Sequence, residues 1–453
     1  MQRLYDEVNS LDKRCYSEFY LSEDILMEHA ANGMALHIKE RFQKGTKVII
    51  VCGSGNNGAD GIACARLLHG DYDVEILYVK NPKSDMAILQ SNRAKAIGVK
   101  QANNTLDAQV VVDAIVGTGF KGEFNSQITQ LIQRLNKLDA YKIACDIPSC
   151  GFIADTTLTM GGLKKSLFLD EMKDKVGKIE VLDLGISRCI YEKNSSWNLL
   201  DLEDIKLPFR DKKDSHKGSF GHLALACGDK SGASILSALS ALRFGCGLVT
   251  LVGYENLFLP HSILYSHTLA KNTTALALGM GLGDEFSNEE LDKFLDNTLP
   301  LIVDADIFSK PILHKILQRK NIVLTPHPKE FVSLLKATKL ADISISKLQK
   351  ERFKYVEIFA DAYPDATLLL KGANVIIAKK DEFYINPHGK ANLAKGGSGD
   401  VLSGLIGALL AQGYTPLQSA INASLAHTKL SLNYKGADFS LTPDDLIEEI
   451  CNL

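Results

Sequence analysis

The chain has 453 residues, of which 45% are hydrophobic and 23% charged, a globular composition that excludes disordered and fibrous architectures. Lys plus Arg number 51 against 54 Asp plus Glu, a net charge of −3, and no segment collects a basic run, so nucleic acid and anionic membrane surfaces are poor partners. At roughly 100–200 residues per domain, this length predicts about two to four domains.

Taken in chain order, Ser22–Lys39 carries helical spacing in Ile25, Leu26, Ala30, Met34 and Ile38, with Ser22 as N-cap. Short apolar runs at Lys47–Cys52, Val74–Val79, Val110–Ile115 and Lys142–Cys145 then alternate with amphipathic stretches at Asp60–Leu68, Met86–Ala96 and Ser126–Leu135. Strands of this length divided by helices predict a doubly wound, mostly parallel sheet. Polar, turn-rich segments flank residue 200, and a second series follows: Gly221–Cys227, Ser234–Phe244, Leu248–Val252, Ala275–Leu278, Leu301–Ala305, Ile322–Leu324, Thr367–Leu370 and Val375–Ala378. The expected organisation is α/β in two domains, 1–200 and 201–453.

Val401–Thr428 holds no Asp, Glu, Lys or Arg, yet Gly407, Gln412-Gly413-Tyr414-Thr415-Pro416 and Asn422 divide it. A membrane span needs about 20 continuous apolar residues, so two buried helices are expected instead. The nine cysteines are scattered, odd in number and without a C-x-x-C pair, the pattern of free thiols in a reducing compartment. The charged N-terminus lacks the apolar stretch of a secretory signal, so a cytoplasmic protein is expected.

The first strand runs into Gly53-Ser54-Gly55-Asn56-Asn57-Gly58-Ala59-Asp60-Gly61 and a helix. Glycines let a ligand approach the backbone, and the helix start offers free N–H groups to an anion. Gly53, Gly55 and Gly58 also satisfy G-x-G-x-x-G, with Asp71, Asp73 or Glu75 as the ribose acid of a hydride-transferring dehydrogenase. Two further strands end in Asp113, before Gly117-Thr118-Gly119-Phe120, and in Asp146-Ile147-Pro148-Ser149. In an open parallel sheet such groups converge beyond the carboxyl edge. Asn57, Asp113 and Ser149 supply oxygen ligands for a hard cation, leaving Asp146 for acid–base work.

These motifs, with Leu26-Met27-Glu28-His29-Ala30-Ala31 upstream, resemble the YjeF N-terminal family, the NAD(P)H-hydrate epimerases, over residues 1–200. The resemblance implies that Asn56, Asn57, Gly58, Ala59 and Asp60, together with Gly117, Thr118, Gly119, Phe120, Lys121, Gly122 and Glu123, hold the hydrated dinucleotide. It implies Asn57, Asp113 and Ser149 as potassium ligands and Asp146 as the substrate-contacting acid. The sequence departs from the family at Cys150, which stands before Gly151 where a glycine usually follows D-x-P-S, and at Ala154-Asp155-Thr156-Thr157, which lacks the usual glycine.

In the second half, Lys395-Gly396-Gly397-Ser398-Gly399-Asp400 directly precedes a helical pattern. Glycines and a serine at a helix start form a nest of N–H groups for a phosphate, and Asp400 sits where it reaches a hydroxyl attacking that phosphate. Lys371 closes a strand upstream, and no Walker A sequence occurs. His327, between two prolines, lacks a second His or Cys at ligand spacing and is expected to contact substrate.

Lys217-Gly218-Ser219-Phe220-Gly221-His222, Ser231-Gly232-Ala233, GMGLG at 279–283, DAD at 304–306, LTPHPKE, LKGAN and GGSGD resemble, in this order, the ribokinase-like superfamily and its NAD(P)H-hydrate dehydratase branch. This implies that Lys371, Gly372, Ala373, Asn374, Val375 and Gly399 contact the nucleotide. Ala233, Gly279, Gly281, His327 and Asp400 would contact the hydrated dinucleotide, with Asp400 catalytic. Val375 stands where a threonine is common.

The resemblances together imply repair of hydrated NADH and NADPH: the first half epimerises the R and S hydrates, and the second dehydrates the S form at the expense of ADP. Potassium, ADP and Mg2+ are the implied cofactors and co-substrate, and a homo-oligomer is compatible with them. Two alternatives share the residues: a ribokinase-like kinase of a vitamin-like alcohol, and a nucleotide-binding sensor or scaffold without turnover in the first half.

Overall fold

The computed structural model describes the chain except residues 103–106, 120, 121, 123 and 254–258. Two compact units emerge, Arg3–Ser195 and Met1–Gln2 with Ser196–Leu453. Both are α/β.

The first unit is built on a seven-stranded sheet. Its order is Lys100–Gln101, Asp73–Tyr78, Lys47–Cys52, Val110–Ala114, Tyr141–Cys145, Thr156–Met160, Lys178–Leu182, all parallel. From Lys47–Cys52 the chain winds outward one way, then returns to Val110–Ala114 and winds the other way. The crevice beyond the carboxyl ends of those two neighbours is where such sheets bind ligands. Burial follows the two-residue period of a strand covered on both faces. Val48, Ile50 and Cys52 pack with the helices Glu23–Arg41 and Asn56–Leu68, whereas Ile49 and Val51 pack with the helix Ser126–Asn136. Ser22 caps its helix as expected, accepting the Ile25 N–H at 3.3 Å.

The second unit orders its strands Leu264–Ser266, Leu248–Val252, His222–Ala226, Ala275–Leu278, Leu301–Val303, Ile322–Leu324, Ala366–Leu370, Val375–Lys379, Glu382–Asn386, Trp197–Leu199. Only the pairings on either side of Val375–Lys379 are antiparallel. Winding reverses between His222–Ala226 and Ala275–Leu278, so this sheet also has a switch point. The charge-free stretch forms two helices, Ser398–Ala411 and Pro416–Asn433, parted by Gly413 at φ +88° and capped by Thr415 ahead of Pro416. Both bury apolar faces in one core with Leu223, Leu225, Val249 and Ala277. Among the described residues no helix is long and apolar enough to cross a membrane. All nine cysteines are free.

Candidate active sites

At the first switch point the glycine loop is shorter than its sequence suggests, because the helix begins at Asn56. Gly53 and Gly58 are there for want of room: a Cβ on Gly53 would lie 1.9 Å from the Ile115 carbonyl, and one on Gly58 2.1 Å from the Gly53 carbonyl. The tight turn opens into a cavity of about 460 Å³, lined by Asn56, Asn57, Asp60, Gly117, Thr118, Gly119 and Asp146 among others. A hollow of about 280 Å³ shares Val79, Asn125 and Ile128 with it.

Asp113 ends its strand fully buried. Its Oδ1 accepts the Ile115 N–H at 3.1 Å and its Oδ2 the Ser149 N–H at 2.7 Å. Burial nonetheless pushes its pKa up to about 6. Ser149 Oγ accepts the Val116 N–H at 3.2 Å, and the buried Nδ2 of Asn57 has no hydrogen-bond partner. The next turn explains the departure at Cys150, whose φ is +48°, followed by Gly151 at +79°. A glycine would sit there without strain; Cys150 bears a cost of order ~1–2 kcal/mol. Asn136 fastens the turn, donating to the Gly151 carbonyl and accepting from Ile153 N–H, each at 3.0 Å.

Asp146, at φ +69°, is held from both sides. Its Oδ1 accepts from Lys164 Nζ, from Thr159 Oγ1 at 3.3 Å and from Met160 N–H at 3.4 Å; its Oδ2 accepts from Thr118 N–H at 3.4 Å. Burial, the largest single effect, would raise this carboxyl, but the Lys164 ammonium and the Met160 and Thr118 N–H groups together hold the pKa below the ordinary value. Lys164 has no exposed surface and spends its remaining donors on Thr159 Oγ1 and the Met160 carbonyl, both at 2.9 Å.

The dehydrogenase alternative fails on placement. Asp73 and Glu75 lie at the start of the strand Asp73–Tyr78, away from its carboxyl end, and Asp71 is an exposed partner of Lys44 at 2.8 Å.

In the second unit, Gly397 at φ +89° turns the chain into the helix Ser398–Ala411, placing Asp400 in its first turn. The helix Ser231–Arg243 fixes that turn: Ser237 Oγ donates to the Asp400 carbonyl at 2.8 Å and Ser240 Oγ to the Val401 carbonyl at 3.1 Å. Burial, with the Asp304 carboxylate adding and Lys371 opposing, raises the Asp400 pKa to about 6. Lys371 Nζ donates to both oxygens of buried Asp304, at 2.7 and 2.9 Å, and stands 3.3 Å from where a Gly399 Cβ would be. Ser403 Oγ adds a bond to Asp304 at 2.7 Å. Ser398 Oγ instead meets buried His427 Nε2 at 3.1 Å.

The GMGLG turn packs against both neighbours. A Cβ on Gly279 would lie 1.8 Å from the Asp304 carbonyl, and one on Gly281 3.1 Å from Ala233 Cβ. His327 caps the helix Pro328–Ala337: its Nδ1 accepts the N–H groups of Lys329 and Glu330 at 3.1 and 3.2 Å, while Nε2 faces Glu330 Oε1 at 3.2 Å. Burial lowers the His327 pKa, so the ring is neutral near pH 7, with Nδ1 as acceptor.

Comparison with known proteins separates the halves in the same way. Residues 23–166 match the family described as YjeF-related protein N-terminus, and residues 223–452 match NAD(P)H-hydrate dehydratase. The chain is 42% identical, over 100% of both chains, to the bifunctional NAD(P)H-hydrate repair enzyme Nnr of Helicobacter pylori. The chain belongs to the bifunctional NAD(P)H-hydrate repair enzymes. The Nnr of Escherichia coli is 30% identical, over 84% of this chain and 79% of that one. Among solved structures, the ADP/ATP-dependent NAD(P)H-hydrate dehydratase from Bacillus subtilis, co-crystallized with ATP/Mg2+, matches at 29% identity and a TM-score of 0.48. That match covers 55% of this chain and 94% of the other.

Within the family frame, the first site gathers Asn56, Asn57, Gly58, Ala59, Asp60, Gly117, Thr118, Gly119 and Asp146 at one sheet edge, whereas Phe120, Lys121 and Glu123 lie outside the described residues. Gly122 is exposed. The second gathers Ala233, Gly279, Gly281, Lys371, Gly399 and Asp400, and Gly372, Ala373, Asn374 and Val375 follow Lys371 into the next strand. Sequence reasoning missed Lys164, Asp12 and the role of Asp304. Asp304 lay within the DAD motif; nothing in the sequence marks Lys164 as buried or Asp12 as lining the cavity.

Proposed function

We propose that residues 1–200 interconvert the R and S epimers of hydrated NADH and NADPH, and that residues 201–453 remove water from the S epimer at the expense of ADP, giving AMP and phosphate. The reading rests above all on Asp400 standing in the first turn of a glycine-started helix beside the Lys371–Asp304 pair, in a chain similar over its whole length to a repair enzyme.

Hydroxide leaves a hydrated ring poorly, and phosphorylation turns it into a good leaving group. Asp400 takes the hydroxyl proton, the oxygen attacks the terminal phosphorus of ADP, and AMP departs. Lys371 and the N–H groups at Ser398–Asp400 hold the phosphoryl oxygens, each well-placed donor contributing ~3–4 kcal/mol to the transition state. Phosphate then leaves with the C–O bonding pair as the ring nitrogen donates its lone pair, and loss of a proton from the adjacent carbon restores the reduced ring. Among the described residues no cluster of three or more His, Cys, Asp or Glu is placed to hold a metal. Mg2+ would therefore arrive on the nucleotide phosphates, its usual habit.

In the first half, the cavity of about 460 Å³ takes the reacting ring of the dinucleotide and Asp146 exchanges protons with it. The donor set of Asn57 Oδ1, Asp113 and Ser149 is all oxygen and carries one carboxylate, with Asp113 and Ser149 joined at 2.7 Å, and it fits potassium. Bound there, the ion would supply positive charge beside Asp113. The free thiols suit a cytoplasmic setting.

The test is to incubate purified protein with hydrated NADH and ADP and follow the absorbance of the reduced ring. Recovery is expected; none with ADP or ATP would end the reading.

A further inference from the structure

Three carboxylates line the first cavity, Asp12, Asp60 and Asp146, with Lys164. All three protons of the lysine are committed, to Asp146, Thr159 and the Met160 carbonyl. Asp146 carries three donors on Oδ1 and the Thr118 N–H at 3.4 Å on Oδ2, which leaves Oδ2 able to take up a proton in passing. Asp12, from the helix Asn9–Glu18, accepts the Tyr191 hydroxyl at 2.7 Å. Asp60 differs: among the described residues its side chain receives no hydrogen bond, and it sits one turn after Asn56, so both face the cavity.

Building on the epimerase reading, we propose that Asp60 is the second catalytic residue of that half, the proton donor to the departing hydroxyl, working with the ionised Asp146. The hydrated carbon bears both the hydroxyl and the ring nitrogen. Asp60 gives its proton to the hydroxyl oxygen, the C–O bond breaks with its pair leaving on water, and the nitrogen lone pair forms a C=N+ bond. Water adds to the opposite face of that carbon and passes its surplus proton through Asp146 to solvent, while Asp60 takes one back. Atoms and charge balance, and no oxidant or reductant is needed.

The surroundings agree with a proton kept on Asp60. Burial, then the charges of Asp146, Asp12 and Glu23, raise it well above the ordinary carboxyl value against the opposing pull of Lys164. The other titratable groups interacting with it are Tyr16, Cys64 and Cys145. Lys80 also lines the cavity but is exposed to solvent, so its charge is screened; among the three carboxylates Lys164 is the one buried ammonium, which leaves excess negative charge unless protons stay bound.

The experiment measures R-to-S exchange of hydrated NADH by chromatography in full-length wild type, Asp60→Asn and Asp60→Glu, with the uncatalysed rate subtracted and hydrate affinity measured in parallel. Expected is a fall in kcat of about 10²–10⁴-fold for Asp60→Asn, affinity within about threefold, and partial recovery in Asp60→Glu. The low-activity limb of the pH profile at high pH, present in wild type, disappears in Asp60→Asn. An Asp60→Asn variant that exchanges epimers at the wild-type kcat, or one that loses only affinity, overturns the proposal while leaving the epimerase reading intact. A wild type that accelerates no exchange overturns that reading itself.

Discussion

Replacing Lys164 by Met tests whether the first site is built around one buried ion pair. The substitution keeps the volume of the stem and removes the ammonium, leaving Asp146 Oδ1, Thr159 Oγ1 and the Met160 carbonyl without their shared donor. Lys164 is fully buried and Asp146 8% exposed, so water repays little. Breaking such a pair by removing one partner costs about 3–5 kcal/mol. The sign of the pH dependence follows from Asp146, whose pKa in the folded state lies below the ordinary value. Its ionised form contributes stability at pH above the ordinary carboxyl value, and that contribution is lost as pH falls through the folded-state value. In Lys164→Met burial acts on Asp146 without the opposing ammonium, so its carboxyl takes up a proton as pH falls from 7, and the deficit, largest near pH 7, shrinks toward acid. Denaturant titration between pH 7 and pH 4, read on the transition of the unit Arg3–Ser195, measures it, and epimer exchange on the same samples should fall at least tenfold. A variant equally stable at pH 7, or one whose deficit grows on acidification, refutes the reasoning.

Asp400→Asn should lower hydrate dehydration by about 10²–10⁴-fold with ADP affinity nearly unchanged, followed by absorbance of the reduced ring. In wild type that activity should decline as pH falls below about 6, where Asp400 takes up its proton. Gly58→Ala places a methyl 2.1 Å from the Gly53 carbonyl, so epimer exchange should collapse and stability drop by about 1–3 kcal/mol, measured by thermal melting. Lys371→Met should raise the Kd for ADP at least tenfold in titration calorimetry, since it leaves Asp304 facing the phosphates without its counter-charge.

Much of the fold is legible because β-branched runs such as Val48–Cys52 and Val110–Val112 are buried on both faces and read as continuous apolar strands. The strand Thr156–Met160 is as buried but built largely of threonine, whose hydroxyls find partners from distant parts of the chain, as Thr157 does in the Val176 carbonyl at 2.7 Å, so no apolar signal marks it. Glycine loops at helix starts and strand-end aspartates drew attention to both candidate sites. Lys164 did not, because a lysine next to Lys165 reads as surface and only the return of the chain past Asp146 buries it. His327 carries two readings in five residues: the run P-H-P-K-E suits substrate contact and also the capping box that its ring forms with Glu330.

Cooperation of the two halves is measured most directly by giving an equilibrated R and S mixture of hydrated NADH, with excess ADP, to wild type and to Asp146→Asn. Wild type should return the whole mixture to NADH in one continuous phase. Asp146→Asn should stop at the S fraction and then creep forward at the uncatalysed exchange rate. Equal and complete recovery in both proteins, with no break in the Asp146→Asn time course, would contradict an epimerase that works through Asp146.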